Sequence, residues 1–168
     1  DSHRLAPVTT TTTTTTTEMP WVLDQLLAET QAAGRDTRSL TPEQRAAIVI
    51  EISKRLGLNP LTNPVQFLML QGNREVLYVT KVATDQIAAN RKLNRRTVRG
   101  PEVTTVEGVS LLICQVEVTT VDGRAEMSTA TLPLNKASLV NDMMKVETKA
   151  KRRATLSVCG LGLLAEDE

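Results

Sequence analysis

His3 is the single histidine of this 168-residue sequence, and it precedes nine consecutive threonines, Thr9 to Thr17. The body of the chain thus offers no imidazole for general-base work, a Ser-His-Asp triad or metal ligation. It has no GxxxxGK(S/T) loop and no GxGxxG to cradle a nucleotide phosphate. The acidic residues show no metal-site spacing, and Cys114 and Cys159 stand far apart with no CxxC pair. Carboxylates or lysines alone would have to carry any covalent chemistry. The expectation is a protein that is not an enzyme, with no catalytic residue, no metal ligand and no cofactor.

What remains is positive charge. Twenty Lys and Arg nearly balance nineteen Asp and Glu, so placement is more informative than the total. Half of the twenty fall in two segments. One holds Arg91, Lys92, Arg95, Arg96 and Arg99; the other holds Lys145, Lys149, Lys151, Arg152 and Arg153. Lys145, Lys149 and Arg152 are four and three apart, so on a helix they share one face, flanked by Arg153. Asp142 and Glu147 are close, but the charge from 149 to 153 reads as unrelieved. The ordinary explanation is a solvated helix face for the second segment and a solvated loop for the first. Two such segments in an otherwise acidic chain point instead to the walls of one anion-binding groove. Trp21, Phe67 and Tyr78 are the only aromatics. They are too few for base stacking to dominate, so a nucleic acid would be held by its phosphates, with steep salt dependence.

The elements that must position these residues can be read in order. Residues 1–20 form a Thr-rich tail expected to be disordered, and 21–168 form one domain. An amphipathic helix is predicted over 21–33, then a polar loop over 34–39. Thr41, Pro42 and Gln44 start a helix with a capping box, and Gly57 ends it. Its expected apolar side is Ala46, Val49, Ile50 and Leu56. Asn59 and Thr62 fix the turn that follows. Runs 65–71 and 75–80 form a hairpin around "GNR". A helix over 81–94, capped by Thr80, would place Val82, Ala83, Gln86, Asn90 and Leu93 on one face. Residues 103–106 read as a strand. A hairpin over 109–132 turns at Asp122–Gly123, pairing Val118 with Met127 and Thr120 with Ala125. It gives β-structure with Leu112, Cys114, Val116 and Val118 on one face. On the other, Gln115, Glu117 and Thr119 lie opposite Ala130, Ser128 and Glu126.

A long helix over 136–161 would pack Val140, Met143, Met144, Ala150, Ala154 and Val158 on the sheet. Both methionines read as core filling, and both cysteines as buried, reduced thiols. Gly57 and Gly160 read as structural. The fold class is α+β: antiparallel hairpins packed on helices, ending in a long basic helix. No apolar run reaches the ~18–20 residues of a membrane span and no signal peptide is evident, so the expected location is cytoplasmic.

"GLNPLT", Gly57 to Thr62, follows a capped helix and precedes a short hairpin. In this it resembles the Red-beta/RecT family of phage single-strand annealing proteins. The likeness continues through "VTKVATDQIAANRKLN", a longer hairpin, the basic helix and the ending "ATLSVCGLGLLAEDE", covering roughly residues 41–168. The resemblance implies an α+β core, homo-oligomeric rings or helical filaments, and ATP-independent annealing of complementary strands in phage homologous recombination. It implies single-stranded DNA and an annealed duplex intermediate as partners, held by the backbone between helix and strand region. A phage exonuclease and the host single-strand-binding protein are further implied partners, in the bacterial cytoplasm. Any magnesium would accompany DNA without a catalytic role. The basic helix matches as a cluster, not position by position, and Thr155 stands where a basic residue would align. Family members continue past this point, so a C-terminal partner-binding segment is expected outside this sequence. A reading from a different class is an assembly protein whose basic patches meet acidic faces of neighbouring subunits, with Glu166–Glu168 as the acidic face.

Overall fold

The computed structural model describes residues 24, 25, 28, 29 and 36–162. The threonine tract, most of the helix expected over 21–33 and the acidic ending lie outside them; residues 24, 25, 28 and 29 are helical. The fold is α+β. In chain order the elements are α1 (Pro42–Leu56), a 3₁₀ turn (Pro60–Thr62), β1 (Val65–Leu70), β2 (Arg74–Val79) and α2 (Lys81–Asn90). Then come β3 (Asn94–Val106), β4 (Val109–Thr119), β5 (Ala125–Pro133) and α3 (Leu139–Val158). β1 and β2 form a two-stranded antiparallel sheet. The other sheet is antiparallel in the order β3-β4-β5.

Helix α1 starts and stops where its caps dictate. The Gln44 amide donates to Thr41 Oγ1 (3.2 Å) and the Thr41 amide to Gln44 Oε1 (2.9 Å). This reciprocal box satisfies two amides that the helix itself cannot, and such a cap contributes about 1 kcal/mol. Gly57 adopts the left-handed conformation, φ +66°, that ends helices. The buried side differs from the expected one. Ile48 and Ser53 are buried while Ile50 is 60% exposed and Ala46 is exposed. Apolar residues cover more than one stripe of α1, and the docked hairpin selects the stripe that meets Phe67 and Leu77. Arg45 fixes that docking. It pairs with Glu75 at 2.6 Å, stacks 5.0 Å from the Phe67 ring centroid and donates to the carbonyls of Thr37 and Leu40.

Thr80 caps α2, accepting from the Ala83 amide, and its hydroxyl donates to the Pro64 carbonyl, tying the helix start to the hairpin. Ala83, Thr84, Ile87 and Ala88 are buried; Val82 is 43% exposed, and the helix ends at Asn90, short of the expected end at residue 94, so Leu93 lies beyond it. Gln86 and Asn90 do share a face, but it is a polar clamp. Gln86 accepts from the Asn59 amide and donates to Thr62 Oγ1, and Asn90 donates to the Gly57 carbonyl. "GLNPLT" is thus a turn latched onto α2, with the Asn59 side chain accepting from the Leu61 amide.

In the three-stranded sheet, Leu112, Cys114, Val116 and Val118 on β4 have no exposed surface and pack against Val146, Ala150, Ala154 and Val158 of α3. Alanine at 150 and 154 lets the helix approach the sheet closely, so a larger side chain there would overpack by roughly 1–3 kcal/mol. The β4–β5 turn corrects the expected register by one residue. It spans three residues, Val121–Gly123, with Gly123 at φ +88°, so Val118 pairs with Glu126 and Thr119 with Ala125. A one-residue slip exchanges the faces of the partner strand. Ala130 therefore lies opposite Cys114 in the core, while Thr129 and Met127 lie opposite Gln115 and Glu117.

The largest departure is β3. Residues 94–99, read as a solvated loop, begin a 13-residue edge strand. Its register breaks between Thr97 and Arg99 and again before Glu102. Gly100 is essential to the second break: it lies at φ +70°, and a β-carbon there would fall 2.1 Å from the Ile113 carbonyl oxygen. Edge strands accept charged side chains and a proline at a bulge because one of their sides is unpaired.

Candidate nucleic-acid interface

Helix α3 is covered on one side by the sheet along its length, but on a second side only over its C-terminal half. There Leu156 joins Leu58, Val79, Ala83 and Ile87 in a separate core. The N-terminal half lacks this second cover. Val140 is 74% exposed, Met144 58% and Met143 36%, so the expected core role fails for these three. The stripe that meets the sheet is instead Val146, Ala150, Ala154 and Val158, spaced by four. Where the second cover ends, a cleft of about 430 Å³ opens between α3 and β2. Asn141, Met144, Lys145, Thr148 and Lys149 line it from the helix, with Tyr78 and Arg152 at its inner end.

Arg152 departs most from the reading of one solvated basic face. It is 1% exposed. Its guanidinium lies 4.4 Å from the centroid of the Tyr78 ring, and Nη1 donates to the Val79 carbonyl at 2.9 Å. These contacts join α3 to β2. Thr155, where the resemblance would align a basic residue, is also buried and donates to the Lys151 carbonyl. The stripe that stays outside the core is therefore Lys145, Lys149 and Arg153, at uniform spacing of four, with Lys145 exposed and the other two half-buried. Lys145 is 69% exposed at its side chain and sits 3.4 Å from Asp142. The Ser138 hydroxyl, and then Lys145, hold the Asp142 carboxyl below its ordinary range. Lys151 pairs with Glu147 at 2.7 Å, so the charge between 149 and 153 is partly relieved. Lys149 and Arg153 form no ion pair with any described residue.

The first basic segment is divided by the strand that carries it. Arg95 points to the helix side with Val118 and reaches Asp85 of α2 at 2.8 Å. Burial disfavours the charged Asp85, but hydrogen bonds from Lys81 and Arg95 outweigh it and keep the carboxyl below its ordinary range. Arg96 lies on the opposite face, 3.0 Å from Glu117, and Arg99 pairs with Glu102 at 2.6 Å. Arg91 and Lys92, at the end of α2, are exposed and have no ion pair among the described residues. Arg91 lines a second hollow of about 250 Å³ with Thr120, Asp122, Arg124 and Cys159. Arg124 caps the end of α3 by donating to the Val158 carbonyl. The cleft beside α3 is lined by the second basic segment and the hollow by Arg91 of the first.

Sequence reasoning missed Tyr78, Asn141, Met144 and Thr148 as lining residues. The last three share the spacing of Lys145 and Lys149 and were findable on α3; Tyr78 is far away in sequence and was not. Cys114 is buried, and burial, then the nearby Glu147, pushes its thiol pKa up. Cys159 is only half-buried, contrary to expectation. Among the described residues no group of three or more His, Cys, Asp or Glu is placed to hold a metal, and no helix is long and apolar enough to cross a membrane. No protein-family model matches the chain, and no curated protein matches it in sequence.

Proposed function

We propose that this protein binds single-stranded DNA through its phosphates along α3 and promotes ATP-independent annealing of complementary strands, as the resemblance to the Red-beta/RecT family implies. The observation that carries this reading is the stripe Lys145, Lys149 and Arg153 beside an open cleft, with Lys149 and Arg153 in no ion pair among the described residues. Cations left without a protein partner are the ones an incoming phosphate neutralises at least cost, releasing counterions as it does so. Holding the strand by its backbone leaves most base edges free to pair with a second strand. No group on the protein forms or breaks a covalent bond in this scheme. It proceeds on rings or filaments of the chain, in a phage recombination pathway with exonuclease and host single-strand-binding partners.

The test is pairing of a labelled oligonucleotide with its complement or with a scrambled strand, without ATP, at two salt concentrations. Acceleration for the complement alone, weakened by salt, supports annealing. A second reading rests on Arg91 and Lys92, exposed and in no ion pair among the described residues: a subunit-assembly protein whose basic patches meet acidic faces of its neighbours. Salt-sensitive oligomers with no effect on strand pairing would favour it.

A further inference from the structure

The cleft beside α3 is not lined as a pure phosphate site would be. Lys145 and Lys149 supply the charge, but Met144 stands beside them with 58% of its surface exposed, and the Tyr78 ring closes the inner end. Arg152 holds that ring from its buried position. Asn141 and Thr148 add an amide and a hydroxyl. A cavity of about 430 Å³ falls within the roughly 300–1,000 Å³ of sites that enclose small molecules. It is too small for a duplex and too apolar at its floor to serve a phosphate alone. Apolar and aromatic surface flanked by lysines matches a nucleotide: a ring for the floor, charged oxygens for the rim. Asn141 and Thr148 can each donate to and accept from a base edge.

We infer that the cleft takes one nucleobase of the bound strand per chain, resting on Met144 and Tyr78, while the adjoining phosphates lie on Lys145 and Lys149. This rests on the annealing reading and adds a periodic element to it. One base in each footprint is withdrawn from pairing, and the bases between successive clefts remain free. A thioether suits the position because it adapts to any of the four rings without reading their edges.

The experiment compares binding of an oligothymidylate with that of an abasic sugar-phosphate strand of equal length and charge, by fluorescence anisotropy. The intact strand is expected to bind about tenfold more tightly. Met144→Ala, at an exposed position, should reduce that ratio to about twofold, and Met144→Leu should restore it. Equal affinity of the native protein for the two strands overturns the inference and leaves the annealing reading standing. A ratio unchanged in Met144→Ala also overturns it, since the base would then be held elsewhere. Failure of both strands to bind overturns the inference and the annealing reading together.

Discussion

The two basic segments are equal in the sequence, five cations each, and unequal in the fold. Of the first, Arg91 and Lys92 follow α2 and the other three lie on an edge strand. Alternation sends Arg95 to one face and Arg96 to the other, and each of Arg95, Arg96 and Arg99 meets a carboxylate at 2.6–3.0 Å. The second becomes a helix, whose spacing of four keeps Lys145, Lys149 and Arg153 on one side while Arg152 turns inward. Charge in a sequence becomes a surface only after the period of its element has sorted it. Here a period of two scatters the charge and a period near 3.6 gathers it.

The strongest way to break this contrast is inside α3. Arg152→Ala removes a buried guanidinium stacked on Tyr78 and bonded to Val79, and should destabilise the fold by about 3 kcal/mol in chemical denaturation. An undisturbed midpoint would return Arg152 to the DNA-contact set. A reversal pair that includes Arg152 would confound unfolding with lost binding. Reversal of Lys145 and Lys149 to Glu is the cleaner variant. It should reduce single-strand affinity at least tenfold and flatten the salt dependence by about one unit of slope per contact removed, with little change in melting temperature.

A smaller effect is expected at the junction of β3 and α2. Asp85→Asn should cost roughly 0.5–1 kcal/mol, since the Lys81 and Arg95 pairs are partly screened by solvent. The Asp85 carboxyl is held below its ordinary range. Its contribution is thus complete above the carboxylate pKa of the unfolded chain and is lost as pH falls through the lower folded value. Native protein should therefore lose stability more steeply than Asp85→Asn on acidification below about pH 4, as followed by thermal melts across pH. The smallest effect is expected for Arg96→Ala and Arg99→Ala, whose exposed pairs should change DNA affinity less than twofold and stability by less than about 0.5 kcal/mol. A large loss of binding in either would show that the first segment acts on DNA as the second does.

Much of the local structure was legible. Thr41, Gln44 and Gly57 place α1 because caps act within four residues. Thr80 does the same for α2, and the all-apolar face of β4 follows from strict alternation. The faces of α1 and α2 were less legible, because each carries more than one apolar stripe. The β4–β5 register failed at one turn: "VDG" suits both two- and three-residue connections, and the latter moves every β5 partner by one. In the candidate site the cluster of charge was visible, but the division between Lys149 and Arg152 was not.

The sequence by itself determined what is local or excluded: the capped helices, the strand alternation, the missing imidazole in the body and the positions of the ten clustered cations. Tertiary structure decided which of those cations meet water. That depends on where Tyr78 and Val79 of the hairpin, more than 70 residues upstream, come to rest against α3. It depends too on which carboxylates end within reach of each arginine. Burial and ion pairing are set by distances between elements remote in the chain, and no periodicity within one helix or strand encodes them.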